Sequence, residues 1–341
     1  MEPQIGSVGG ENVSHMKSIF HEIQTLYDAG HPIFTKDSIR EVGKELEHFQ
    51  KGERSSGKII MKGVNGVDYD VLVKPPSLGP PRANQVLGGS KWVILYYSIE
   101  SLTTFTLPDL YLFDPQLAYL PMQIHSPIRL LSNFDHPIHK EPLTAPIEED
   151  FRTYQAIEQQ WKTSQHYAQL QQTLTSIEIP FTLTKVVALA LGSLVVRSHI
   201  NKGRFLQHAL ISAIHSTLVH RSILSASSEK YVQDPGYTQR DKSILDSAGL
   251  TVLDDPQALL ELDESSVLVS IAANIPVADI VADICRPGII IWDDRARGGL
   301  NLPPNPRVKK MIQNEYTEIS FPHHEECFGT LKMAMLIRKS T

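Results

Sequence analysis

Cysteine is almost missing from this chain: Cys285 and Cys327 are the only two in 341 residues. Two cysteines make neither a disulfide framework nor a zinc site, and they fit a reducing compartment. No run of eighteen apolar residues occurs, which excludes a membrane-spanning helix. The opening MEPQIGSVGGENVSHMK is polar and acidic without an apolar core, so it does not read as a signal peptide. GxGxxG, the Walker loop, the GxSxG elbow and HExxH are all lacking, and no internal repeat is visible. No cofactor and no metal site are expected. Excess positive charge is lacking too: the net charge of −6 argues against a broad nucleic-acid surface and against stable DNA binding, although it leaves room for a local basic patch. What remains is a cytoplasmic, soluble chain whose hydrophobic fraction of 41% can build one large core or two smaller ones.

The most informative stretch is Lys185 to Ser193, KVVALALGS. An apolar run of this length suits a strand covered on both faces, as in parallel sheets. Gly192 permits a tight turn, Ser193 follows at the strand's carboxyl end, and a helical pattern begins near Gly203. Strand, glycine turn and helix form the first unit of a nucleotide-type α/β sheet. Further strands are expected at 231–233, 251–253, 266–272 and 288–292, with helices between them and a last helix and strand at 307–316 and 331–338. The predicted architecture is α/β, a doubly wound, mostly parallel Rossmann-like sheet with an N-terminal α+β extension.

In the N-terminal half, residues 1–13 read as disordered, and 14–145 as an α+β region. Ile19, Phe20, Ile23, Leu26 and Tyr27 are spaced for a helix, and a second should follow Thr35 or Asp37. Asn65-Gly66 marks a hairpin, residues 75–90 a Pro/Gly-rich loop, 91–99 a strand, and 101–145 irregular structure with short strands. One connecting helix is expected from about Ala145 to Ser176, leading into a sheet domain that takes 146–341. Its acidic start, Glu148, Glu149 and Asp150, suits the helix dipole and reads as solvated rather than as a metal site.

Ligands of open α/β sheets bind at the strands' carboxyl ends. Those ends should carry Gly192-Ser193, Asp234-Pro235, Asp254-Asp255, Asn274 and Asp293-Asp294. Asp254 and Asp255 read as caps before Pro256. The group Asp234, Tyr237 and Asp241 is more specific: two carboxylates and a phenol that could hold a ribose, an amine or a guanidinium. Asp241, four residues after Tyr237, is expected to open a helix, either as its N-cap or facing a substrate cation. Its replacement by Asn should then spare the fold and severely reduce activity. Gln207, His208 and His215 lie on one helix and face either the crevice or the core. His323 to Cys327 resembles a metal cluster in composition, but neighbouring side chains in an extended segment diverge, so a polar surface loop is the plainer reading. Arg295, Arg297, Arg307, Lys309 and Lys310 follow the fifth strand and could meet phosphates, or simply be solvated.

KVVALALGSL, LQHALISAI and DPGYTQRDKSILDSAGLTVL resemble the domain named after the plant sensitivity-to-red-light-reduced protein, over about residues 180–300. The family's Pro-His-Cys group after the fourth strand is replaced here by Ser270 to Pro276. The long N-terminal region and SIAANIPVADIVADICRPGIIIWDD are similar to fungal members, among them arginine-containing cyclodipeptide synthases. That resemblance implies aminoacyl-tRNA substrates condensed to a cyclic dipeptide. Ser193, Tyr237 and Asp241 would be catalytic, and Gly192, Gln207, His208, Asp234, Asn274 and Asp293 would hold substrate. The basic run from Arg295 to Lys310 would hold tRNA. The plant resemblance implies instead a non-catalytic regulatory or interaction protein. A third class, a transferase using a nucleotide cofactor, is weakened by the missing glycines.

Overall fold

The computed structural model describes residues 8–74, 86–88, 91–104, 115–125, 129–131, 147–196, 199–294 and 305–340. Two compact units divide the chain. The first takes Met1–Ser77, Ser90–Pro127 and Asp279–Ile284; the second takes Leu78–Gly89, Ile128–Ala278 and Cys285–Thr341.

In the first unit, α1 (Val8–Asp28) reaches into the stretch expected to be disordered. Its buried stripe, Met16, Ile19, Ile23 and Tyr27, follows the helical period and accounts for the helix. α2 (Lys36–Gln50) is set by Thr35, whose side chain accepts from the Ser38 N–H while Ser38 returns the bond. This reciprocal cap satisfies donors that a helix start otherwise leaves open. β1 (Gly57–Lys62) and β2 (Asp68–Val73) form an antiparallel hairpin around Asn65-Gly66, where Gly66 takes a φ of 78°. β3 (Val86–Gly88) belongs to the second unit and lies within the segment read as a loop; the rest of that loop is outside the described residues. β4 (Val93–Tyr96) pairs with β5 (Met122–His125) on either side of α3 (Ile99–Thr103), and β6 (Arg129–Leu131) pairs with β3.

The second unit holds the sheet. The expected single connecting helix is two, α4 (Ile147–Lys162) and α5 (Gln165–Ser176). Ser164 divides them by accepting from the Tyr167 N–H, an N-cap inside a continuous helical pattern. β7 (Lys185–Leu189) is followed by two short antiparallel strands, β8 (Val195–Val196) and β9 (His199–Ile200), and then by α6 (Lys202–His220). β10 (Glu229–Gln233), α7 (Gln239–Ser247), β11 (Thr251–Val252) and α8 (Gln257–Glu261) come next. β12 (Ser266–Ser270), α9 (Val277–Ile284, whose residues from Asp279 on belong to the first unit), β13 (Ile289–Asp293), α10 (Pro306–Glu315), β14 (Tyr316–Ser320), α11 (Glu325–Phe328) and β15 (Met333–Arg338) complete the order.

The seven-stranded sheet runs β11-β10-β7-β12-β13-β15-β14. The first five strands are mutually parallel, as their apolar runs predict, while β15 is antiparallel to both of its neighbours. β14 is an addition to the expected set. Every residue of β12 and β13 is buried. One face, with Val186, Ala188, Val267, Val269, Ile289 and Ile291, packs in a single core with Phe205, Ala209, Ile214 and other residues of α6. Full burial of each Val, Leu or Ile contributes about 1.5–3 kcal/mol relative to exposure. α6 is buried almost all round because no charged side chain occurs between Arg204 and His220.

Candidate functional site

β7 ends at Leu189, and the chain then makes two left-handed steps, Ala190 at φ 61° and Gly192 at φ 73°. Across the ladder, β12 pairs Ser270 with Leu189, and two residues further on Ala272 has φ 54°. Adjacent strands therefore both leave the sheet through alanines in a conformation that disfavours a Cβ. β7 lies between β10 and β12, so its connection runs to one side of the sheet and that of β12 to the other. Such a reversal opens a crevice at the carboxyl edge.

Asp234, just past β10, reaches back to this turn. Its Oδ2 accepts from the Gly192 N–H at 2.8 Å and its Oδ1 from the Gly236 N–H at 2.7 Å. On the other side of Gly192 lies Arg204, from the first turn of α6. A Cβ at Gly192 would sit 2.7 Å from the Arg204 Nε and push that side chain aside, while the positive φ is what favours glycine here. Arg204 donates through Nη1 to the Leu191 carbonyl and to Gln207 Oε1, and Gln207 Nε2 donates to the Cys327 carbonyl.

Asp241 is fully buried and is not the first residue of its helix. Thr238 is the N-cap, and Asp241 closes the capping box from the third position. Its Oδ2 accepts from Thr238 N and Oγ1, both at 2.7 Å, and from Ser193 Oγ at 2.9 Å; its Oδ1 accepts from Leu194 N at 2.8 Å. The Ser193 hydroxyl also reaches the Val195 carbonyl at 2.9 Å. Asp241 thus fastens the Gly-Ser turn to the start of α7, and no face of it is left for a substrate cation.

His208 and Tyr237 form a buried pair. His208 Nδ1 lies 2.7 Å from the Arg204 carbonyl, which can only accept, so Nδ1 carries the proton; Nε2 then accepts from the Tyr237 hydroxyl at 2.7 Å. Burial holds the His208 imidazole down at about 4, so it is neutral, and burial raises the Tyr237 phenol well above its usual value. Of the two placements open to Gln207, His208 and His215, the structure selects the core for all three.

The other expected residues separate from this cluster. Asp293 is buried and accepts from the Ala272 N–H, closing the end of β13 onto the loop after β12. Asn274 is exposed in that loop. Asp254 accepts from Lys242 and Asp255 from Gln233; Pro256 at the start of α8 supplies no side-chain cap, and Gln233 Oε1 accepts from the Ala258 N–H there. The acidic helix start is not wholly solvated either, because Asp150 is buried in an ion pair with Arg240. The segment after His323 is a short helix rather than a surface loop. His324 caps it by accepting from the Cys327 N–H, and burial pushes the Cys327 thiol well up. Among the described residues no three His, Cys, Asp or Glu side chains group to hold a metal. Lys309 and Lys310 are exposed on α10 and Arg307 is at its start, while Arg295 and Arg297 lie outside the described residues.

Residues 170–327 match the SRR1 domain. The match covers a little under half of the chain, from within α5 to within α11, and spans Gly192, Ser193, Arg204, Asp234, Tyr237 and Asp241. β15, and α4 with everything before it, fall outside it. No curated protein matches the chain, and no solved structure does. The likeness to the sensitivity-to-red-light-reduced domain is thereby supported, whereas the likeness to cyclodipeptide synthases gains nothing from these matches. Sequence reasoning missed Arg204 and Gln233. Arg204 stands directly after Lys202-Gly203 at the start of the helix that follows the turn, a place where a cation could have been marked. Gln233 left no signal: it bonds Asp255 and the Ala258 N–H from the buried end of β10.

Proposed function

We propose that this protein is a non-catalytic regulatory or interaction protein built on an SRR1 domain with a doubly wound Rossmann-type sheet. One observation carries this reading: the side chains best suited to chemistry at the carboxyl edge are engaged by the fold itself. Asp241 holds four donors, and His208 and Tyr237 hold each other in the core. A general base needs to reach the proton it removes; Asp241 would have to give up a turn and a cap to do so, and His208 and Tyr237 would have to leave the core. The family match supports the same reading.

The test is complementation. In a strain deleted for the gene, the Ser193→Ala protein is expected to restore the transcript profile as fully as the parent does. Losing one partly exposed hydroxyl bond costs only about 1 kcal/mol, and a regulator has no need of a nucleophile. The parent is also expected to yield no cyclic arginine dipeptide by mass spectrometry in a host with ordinary tRNA pools. A dipeptide that appears with the parent and vanishes with Ser193→Ala would instead establish an aminoacyl-tRNA-dependent cyclodipeptide synthase.

A further inference from the structure

Two oppositely charged side chains flank Gly192 at the carboxyl edge of the sheet, and neither is neutralised by an ion pair among the described residues. The Asp234 carboxylate has one backbone N–H on each oxygen. A carboxylate offers about four lone-pair sites, so roughly half of its accepting capacity stays open. Arg204 donates only through Nη1, and only to neutral oxygens, which leaves the Nε and Nη2 protons without a protein acceptor among the described residues. Both side chains are half-buried, as are Ala190, Gly192 and Ala272 beside them. The left-handed alanines at the ends of β7 and β12 add an independent sign, since backbone held in sparsely populated regions concentrates at ligand sites.

We propose that this crevice binds a mononucleotide, its ribose diol donating to Asp234 and its phosphate accepting from Arg204. The acidic residue stands at the end of the second strand, where Rossmann sheets place the carboxylate that receives ribose hydroxyls. The cation stands at the first strand-to-helix turn, where those sheets place phosphate. The chain has a single glycine there instead of three, and the Arg204 side chain covers it. That leaves a cation for one phosphate in place of the bare glycine backbone that cradles a pyrophosphate. Binding uses only the acceptor sites of Asp234 and the N–H groups of Arg204 that these bonds leave over, so the inference goes beyond the regulatory reading and does not depend on it.

The experiment titrates the full-length protein with AMP, adenosine and 2′,3′-dideoxyadenosine monophosphate, by calorimetry. AMP is expected to bind at least about tenfold more tightly than either analogue, the ratio that loss of one charge-assisted contact produces. Asp234→Asn should erase the preference for the diol and keep that for phosphate, and Arg204→Met should do the reverse. Each ratio compares two ligands on one preparation, so a partly unfolded variant still reports. No AMP binding tighter than about 1 mM to the parent, or parental ratios in both variants, would overturn the proposal.

Discussion

Asp241 receives donors from Thr238, Ser193 and Leu194, three residues whose positions it fixes relative to one another. Replacing it with Asn turns one acceptor into a donor that faces N–H and O–H groups. The expectation drawn from helix capping alone, that Asn would spare the fold, is therefore reversed. Asp241→Asn should lose about 2–4 kcal/mol of unfolding free energy in urea, the scale of a broken buried network. A loss below about 0.5 kcal/mol, the range of ordinary surface substitutions, would mean that the carboxylate does not hold the turn. The sign is opposite at Ala190 and Ala272. Glycine in place of alanine ordinarily destabilises, but at φ 61° and 54° it relieves a Cβ clash. Ala190→Gly and Ala272→Gly should each raise the denaturation midpoint, by about 0.5–1 kcal/mol in stability.

At the scale of the element, α6 carries a titration that the whole fold feels. His208 is fully buried and its folded value is about 4, against an ordinary value near 6.5. The unfolded chain therefore binds the extra proton first, and stability falls as pH drops from about 6.5 to 4. The loss is on the order of 3 kcal/mol from this residue, with His215, also lowered by burial, adding in the same direction. Urea melts at pH 7.0 and 4.5 should show it, and His208→Gln should flatten the difference; equal slopes in parent and variant would place the acid sensitivity elsewhere. The parallel strands were legible in the sequence because burial on both faces leaves uninterrupted apolar runs such as VVALAL and IIIW. β14 was not, since YTEIS is largely exposed at the sheet's edge. The break between α4 and α5 was hidden because one serine cap leaves the helical period intact on both sides. The site was half legible. Strand ends named Gly192, Asp234 and Asp241, but their roles depend on partners some forty residues away in sequence, which no local pattern reports.

For the molecule as a whole, the position of β15 matters most. It lies between β13 and β14 and bonds to both, so it is an interior strand although it follows both in the chain. Proline in an interior strand removes a ladder bond and is excluded sterically, while an edge strand tolerates it where the N–H faces outward. Leu336→Pro should therefore leave the protein insoluble on expression, whereas the milder of Thr317→Pro and Glu318→Pro on β14 should remain folded by circular dichroism. Equal damage on both strands would contradict this ranking. The same placement sets a schedule for the growing polypeptide. At about 5–20 residues per second, β13 leaves the ribosome seconds before the strand that completes its pairing. During that interval the nascent chain carries an open sheet edge whose inserting strand has yet to be made, the state in which a chaperone has the most to protect.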